Sequence, residues 1–214
     1  MKNACIALSA LALLLASCKE NVTVTTTTDT PEPVAVKDTV NDKPLDSAAI
    51  QEARKAYATP GEAHRMMADE TGTWDVQMKF WEAPETVSES ATSVAGATMI
   101  LGGHYQEVAY KGTIMGMAFE GKSTMAFNNK TGEYTSTWID NMGTGMMIVK
   151  GHYDEATKAI NMTGSMTDPT DGKNINIREV YTFVDPNTRK LETFDTKEGK
   201  KEFKSMEIVL KRRK

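Results

Sequence analysis

The sequence predicts a mainly β fold: an antiparallel up-and-down barrel of about ten strands, preceded by one or two short helices. Three observations predict it. From Gly72 onward apolar and polar residues alternate with a period of two. Turn signals recur at hairpin spacing, among them Ala83-Pro84, Gly102-Gly103, Asn128 to Gly132, Asn141-Met142-Gly143, Asp168-Pro169, Asp171-Gly172, Asp185-Pro186-Asn187 and Glu198-Gly199. No helical period returns after the second short helix. Strands joined only by sequential hairpins leave two exposed sheet edges unless the sheet closes, and closure removes them.

The chain before the barrel reads as an address. Lys2 supplies a positive start, and Ala4 to Ala16 is an unbroken apolar and small-residue run. A bilayer span needs about 20 residues, so this run suits a secretory leader instead. It ends in Leu15-Ala16-Ser17-Cys18, which resembles the bacterial lipobox. That resemblance implies cleavage before Cys18, acylation of its thiol and freed amine, and a membrane anchor made of lipid. Lys19-Glu20 lacks the Asp of a retention signal. The expected location is therefore the cell envelope, at the outer membrane, on its periplasmic or surface face.

Asn21 to Pro44 is rich in Thr, Val, Asp and Pro and has no amphipathic period. The expected organisation is a leader at 1–17, a lipid-anchored tether at 18–45 and a barrel domain at 46–214. Asp38-Thr39-Val40 and Asp46-Ser47-Ala48 also resemble loose sites of bacterial O-glycosylation.

Asp46 can cap a helix over Ser47 to Tyr57, built from good helix formers such as Ala49, Gln51, Glu52 and Ala53. Thr59-Pro60-Gly61-Glu62 has the form of a capping box for a second helix, anchored by Met66 and Met67 and ended by Thr71-Gly72. The first strand then places Trp74, Val76, Met78 and Phe80 on one face. Another places Met117, Phe119, Gly121, Ser123, Met125 and Phe127 together. Tyr134, Ser136, Trp138 and Asp140 share a face, as do Met147, Val149 and Tyr153, and Ile175, Ile177, Glu179, Tyr181 and Phe183.

Gly72-Thr73-Trp74, opening the first strand after a short helix, resembles the Gly-x-Trp signature of lipocalin-type (calycin) barrels. The resemblance implies that a basic residue of the last strand packs over Trp74. Arg212 shares parity with Met206, Ile208 and Leu210 and is the candidate. More widely, Gly61-Glu62-Ala63-His64, Gly72 to Val76, Leu101-Gly102-Gly103, Lys111 to Met117, Phe119-Glu120-Gly121, Tyr134 to Asp140, Gly143-Thr144-Gly145, Gly151 to Asp154 and Lys201 to Ile208 resemble, in order, a secreted bacterial family known only as domain of unknown function 1579. The likeness runs from about Pro60 to the C-terminus. It implies the fold and brings no activity with it.

Composition narrows the function. A net charge of −4 argues against nucleic acid as a partner, and the one basic cluster is Lys211 to Lys214. Both cysteines, Cys5 and Cys18, precede the barrel, so it has no disulfide, thiolate nucleophile or Cys metal site. His64, His104 and His152 lack metal-ligand spacing. Some barrels of the kind this chain resembles hold haem through a His late in the chain; no His follows His152, so the resemblance does not bring haem with it. Met115, Met117, Met146 and Met147 could gather thioethers for Cu(I), but methionine also fills irregular cores. Neither a metal nor a cofactor is expected.

No nucleophile elbow, P-loop or dinucleotide fingerprint is present, so no residue is assigned as catalytic. Candidate ligand-contacting residues are Trp74, Met117, Phe119, Tyr134, Ser136, Trp138, Asp140, Met147 and Glu179. Glu179 either points into the apolar interior, with its pKa raised, or reaches solvent through a bulge.

Three functions stay open. A lipid-anchored barrel binds a small apolar or amphipathic ligand; or its interior is filled and its surface meets an envelope partner whose nature the sequence leaves unknown; or it is a hydrolase or isomerase with an acid–base pair at the barrel mouth. For the last, Asp140, Asp154, Glu107 and His104 are the residues available.

Overall fold

The computed structural model describes residues 46–84 and 86–214. The expected leader, Cys18, the tether and Asp38-Thr39-Val40 lie outside the described residues.

Helix α1 (Ser47–Ala58) starts as expected, with the Asp46 carboxylate accepting from the Ala49 N–H at 2.8 Å. Helix α2 (Glu62–Ala68) starts differently. The Thr59 hydroxyl donates to Lys55 O at 2.7 Å and so closes α1, leaving Gly61 as the cap of α2. His64 Nδ1 accepts from the Gly61 N–H at 3.1 Å, the part that the sequence gives to Glu62.

Ten strands follow: β1 (Gly72–Ala83), β2 (Thr86–Ile100), β3 (Tyr105–Ile114), β4 (Met117–Asn128), β5 (Glu133–Asp140), β6 (Met147–Asp154), β7 (Ala159–Thr167), β8 (Asn174–Asp185), β9 (Thr188–Lys197) and β10 (Phe203–Arg212). Each pairs antiparallel with its sequence neighbours, and β1 pairs with β10 to close the barrel. The closing register sets Trp74 opposite Arg212, Val76 opposite Leu210 and Phe80 opposite Met206.

The period-two rows are the inner and outer faces of the wall. Trp74, Val76 and Met78 are buried, while Thr73, Asp75, Gln77 and Lys79 face outward. Inward side chains form two apolar clusters. One gathers residues of β1, β2, β3, the start of β4 and β10, including Trp74, Val76, Tyr110, Phe119 and Ile208. The other gathers residues of β5 to β8, including Tyr134, Val149, Met162 and Ile177.

Inward glycines let the wall and its contents approach closely. A Cβ on Gly121 would lie 2.6 Å from the Trp138 ring, and one on Gly151 would lie 1.8 Å from Asn161 O on the neighbouring strand. At Gly151 the obstacle is backbone and only glycine fits, whereas at Gly121 it is an indole that would have to move.

α2 sits against β2 and β3 at the barrel end where β1 begins. The opposite end carries the β1–β2 and β3–β4 turns, the β5–β6 loop and the start of β10. One end is plugged; the other is not covered by any helix among the described residues.

Candidate functional site

The plug is fastened by a buried charge. Glu70, just after α2, accepts from Arg189 Nε at 2.6 Å, from the Tyr181 hydroxyl at 3.1 Å and from Gln106 Nε2 at 3.2 Å. Its backbone carbonyl accepts from Trp74 Nε1 at 2.9 Å. Glu70 and Arg189 side chains are each 6% exposed. A pair this deep survives because the remaining valences are filled as well. Arg212 caps the same end: its guanidinium lies 4.2 Å from the Trp74 ring centre and donates to Thr71 O at 2.8 Å.

Further along the lumen lies a second buried carboxylate with far fewer partners. Glu179 is 3% exposed and points inward, and among the described residues only the Thr193 hydroxyl, at 3.4 Å, donates to it. Burial raises its pKa to about 7, and the negative charge of Asp195 adds to the rise. Asp195, two residues beyond Thr193 on the same inward row, is also raised by burial, against a 2.7 Å hydrogen bond from Ser205. Tyr110 stands within electrostatic reach of both Glu70 and Glu179, and burial followed by those charges holds its phenol well above its ordinary pKa. Inward polar groups thus stand at Glu70, at Glu179 and at Asp195, the last nearest the end opposite α2.

The candidate residues do not form one group. Trp74 belongs to the plug. Phe119 and Trp138 join Tyr110 in an aromatic wall, with Tyr110 edge-on to Trp138 at 5.2 Å and Phe119 stacked at 6.3 Å. Tyr134 and Met147 lie in the other cluster, where burial raises the Tyr134 phenol to about 12. Ser136 is buried on the inward row of β5.

Two candidates change character. Met117 keeps the inward parity of Phe119 but is 49% exposed, because β4 begins at Met117 and its side chain sits on the rim. Asp140 has both oxygens engaged, by Trp138 Nε1 at 2.6 Å and the Met142 N–H at 2.9 Å, and so fixes the β5–β6 turn. Glu179 takes the first of its two expected positions, inside.

The four residues available for an acid–base pair are scattered. His104 bridges Leu101 O and Ala58 O. Glu107 pairs with Lys122, and Asp154 caps the turn at Ala156 and Thr157. These three lie at the plugged end and Asp140 at the other.

Sequence reasoning misses Glu70, Arg189 and Gln106. One signal was available: Arg189 shares an inward row with Leu191 and Thr193, and an inward arginine calls for a buried acid.

Two open hollows, of about 400 and 450 Å³, run along the wall, one beside Arg178 and Glu202 and the other beside Gln77, Lys79 and Thr92. Neither is lined by Glu179. Inside, however, Phe80, Trp138, Tyr181, Phe183, Leu191 and Met206 point inward and still keep accessible surface.

The profile of the family described as "Protein of unknown function (DUF1579)" matches residues 59–212. The chain belongs to this family. No curated relative matches it. Among solved structures, the DUF1579 barrel resembles Rv2717c from M. tuberculosis, with a TM-score of 0.53 at 11% identity over 73% of this chain and 100% of that one. It also resembles a de novo designed fluorescence-activating β-barrel, with a TM-score of 0.38 at 10% identity over 67% of this chain and 93% of that one. The likeness to Rv2717c supports the DUF1579 fold alone.

Proposed function

We propose that the protein is a binding barrel for a small apolar or amphipathic molecule, taken in at the end opposite α2. The observation that carries this is the accessible surface left on inward side chains such as Phe80, Trp138 and Met206, within a wall of ten strands whose other end is plugged. An eight-stranded barrel is just wide enough for its own side chains to fill, and the diameter grows with strand number. Ten strands enclose a wider lumen than eight. Apolar walls with a few oriented polar groups are what small-molecule sites require.

The setting of this function is part of the proposal. Leu15-Ala16-Ser17-Cys18 supports a leader at 1–17, a lipid anchor at Cys18 and a tether to residue 45. The barrel would then work beside a bacterial envelope membrane, with the outer membrane favoured.

A second reading rests on a different observation. Met115, Met117, Met142 and Met146, on the turns around the uncovered end, are 46 to 60% exposed. Flexible thioethers of that kind suit contact with a protein partner, and this reading needs no open interior.

Native mass spectrometry of the purified protein, with tryptophan emission alongside, tests the first reading. A co-purifying small molecule whose removal changes the emission is the expected result. Ligand-free protein, with emission indifferent to lipids and apolar dyes, would overturn it and leave the rim as the working surface.

A further inference from the structure

The geometry points to a positively charged or strongly donating head group on the ligand, an amine or amidine on an apolar body, held by Glu179 inside the barrel. This rests on the interior-binding proposal and specifies its ligand class.

Charge inside the barrel is not fully matched. Every inward cation among the described residues is already engaged. Arg189 is held by Glu70 at 2.6 Å, Lys197 by Asp168 at 2.5 Å, and Arg212 by Thr71 O and Asp69 O. Glu179 is not balanced in the same way. It has one hydroxyl donor and no cation, whereas Asp195 has the Ser205 hydroxyl and the positive charge of Lys197 within electrostatic reach. Glu89, opposite Phe80 on β1, adds a third carboxylate to the inner rows at that end.

Buried carboxylates are ordinarily paired or given several donors. Glu179 contrasts with Glu70, a few strands away in the same lumen, which has three side-chain donors. A second inward polar group is also unsatisfied: Ser93 Oγ, on β2, has no hydrogen-bond partner among the described residues. Two independent groups therefore face the interior with capacity unused, one of them anionic.

Around Glu179 the chemistry suits an amphiphile. Met162 and Thr193 lie directly opposite it on the flanking strands, Ile177 is its inward neighbour on β8, and Tyr110 is in electrostatic reach. A ligand carboxylate would meet like charge from Glu179 and Asp195, so fatty-acid-like anions are selected against.

Calorimetric titration of the purified protein with octylamine, octanol and octanoate at pH 8 tests the assignment. One chain length and three head groups separate the apolar contribution from the polar one. Octylamine is expected to bind roughly tenfold or more tightly than octanol, with octanoate weakest, since a hydrogen bond to a charged group is worth that much. Glu179→Gln should erase the amine preference and leave octanol binding in place, while Glu179→Asp should retain part of it.

Equal binding of all three compounds would overturn the head-group assignment and leave interior binding standing. Binding of none of them would overturn both. An amine preference that persists in a folded Glu179→Gln variant would overturn the role of Glu179. The ranking on the unmodified protein decides the matter even if that variant does not fold.

Discussion

Arg189 Nε donates to Glu70 Oε1 at 2.6 Å with both side chains almost wholly out of water, and this contact joins β9 to the turn that follows α2. It ties the helical plug to the far wall by a charge-assisted bond. Removing a single partner leaves the other charge buried and unmatched, at a cost of about 3–5 kcal/mol. Arg189→Met and Glu70→Gln are each expected to lose that much in urea unfolding. The double variant should lose less than the sum, because no orphaned charge remains.

Glu179 makes a pH prediction of definite sign. Its pKa is about 7 in the folded chain against 4.5 for the unconstrained group, so the folded state holds the proton more tightly. Folding stability attached to this residue is then present below about pH 4.5 and is lost as pH rises through about 7. The span corresponds to about 3 kcal/mol at most. Asp168 acts in the opposite direction: Lys197 and Thr170 hold its carboxyl well below the ordinary range, and that contribution is lost on acidification. Comparing the parent with Glu179→Gln cancels Asp168. The variant should gain on the parent between pH 5 and pH 8; a constant difference would show that the carboxyl is not strained by burial.

The Trp74 ring is covered by Arg212, whose guanidinium also reaches Thr71 O and Asp69 O. Arg212→Ala should destabilise by about 1–2 kcal/mol, from the cation–π contact and lost hydrogen bonds together. Arg212→Lys should recover only part, since an ammonium cannot span both carbonyls in a planar fork. Thermal unfolding of the three proteins checks the order.

Gly121 has the edge of Trp138 where a side chain would begin. Gly121→Ala is expected to push the indole out of its present rotamer and cost about 1–3 kcal/mol. The displacement would also strain the Trp138–Asp140 bond, so the tryptophan emission should shift along with the melting temperature. An unchanged spectrum would mean that the wall yields instead of the ring.

Most of the barrel could be read from alternation, because a half-buried strand writes its inner face directly into the sequence. The row through Trp74, Val76 and Met78 and the row carrying Glu179 are both found where parity puts them. Parity has no knowledge of height, however. Met117 has the right face but stands at the first residue of its strand, above the packed interior. Nor does it see who uses a side chain first: Asp140 looks like a free carboxylate until its own strand and the turn beyond it claim both oxygens. Glu70 was illegible for a further reason. It follows a short helix, outside any periodic segment, and its chief partner lies most of the barrel away along the chain.

The register that sets Trp74 against Arg212 joins the first strand to the last. No earlier strand can take the place of β10, because every other neighbour is already assigned. Until β10 arrives, β1 and β9 each present a bare edge to any other chain nearby. Closure of the barrel therefore waits for β10, and contacts so distant in sequence slow it. A chain that lost its last strand would be a sticky ribbon rather than a slightly smaller barrel.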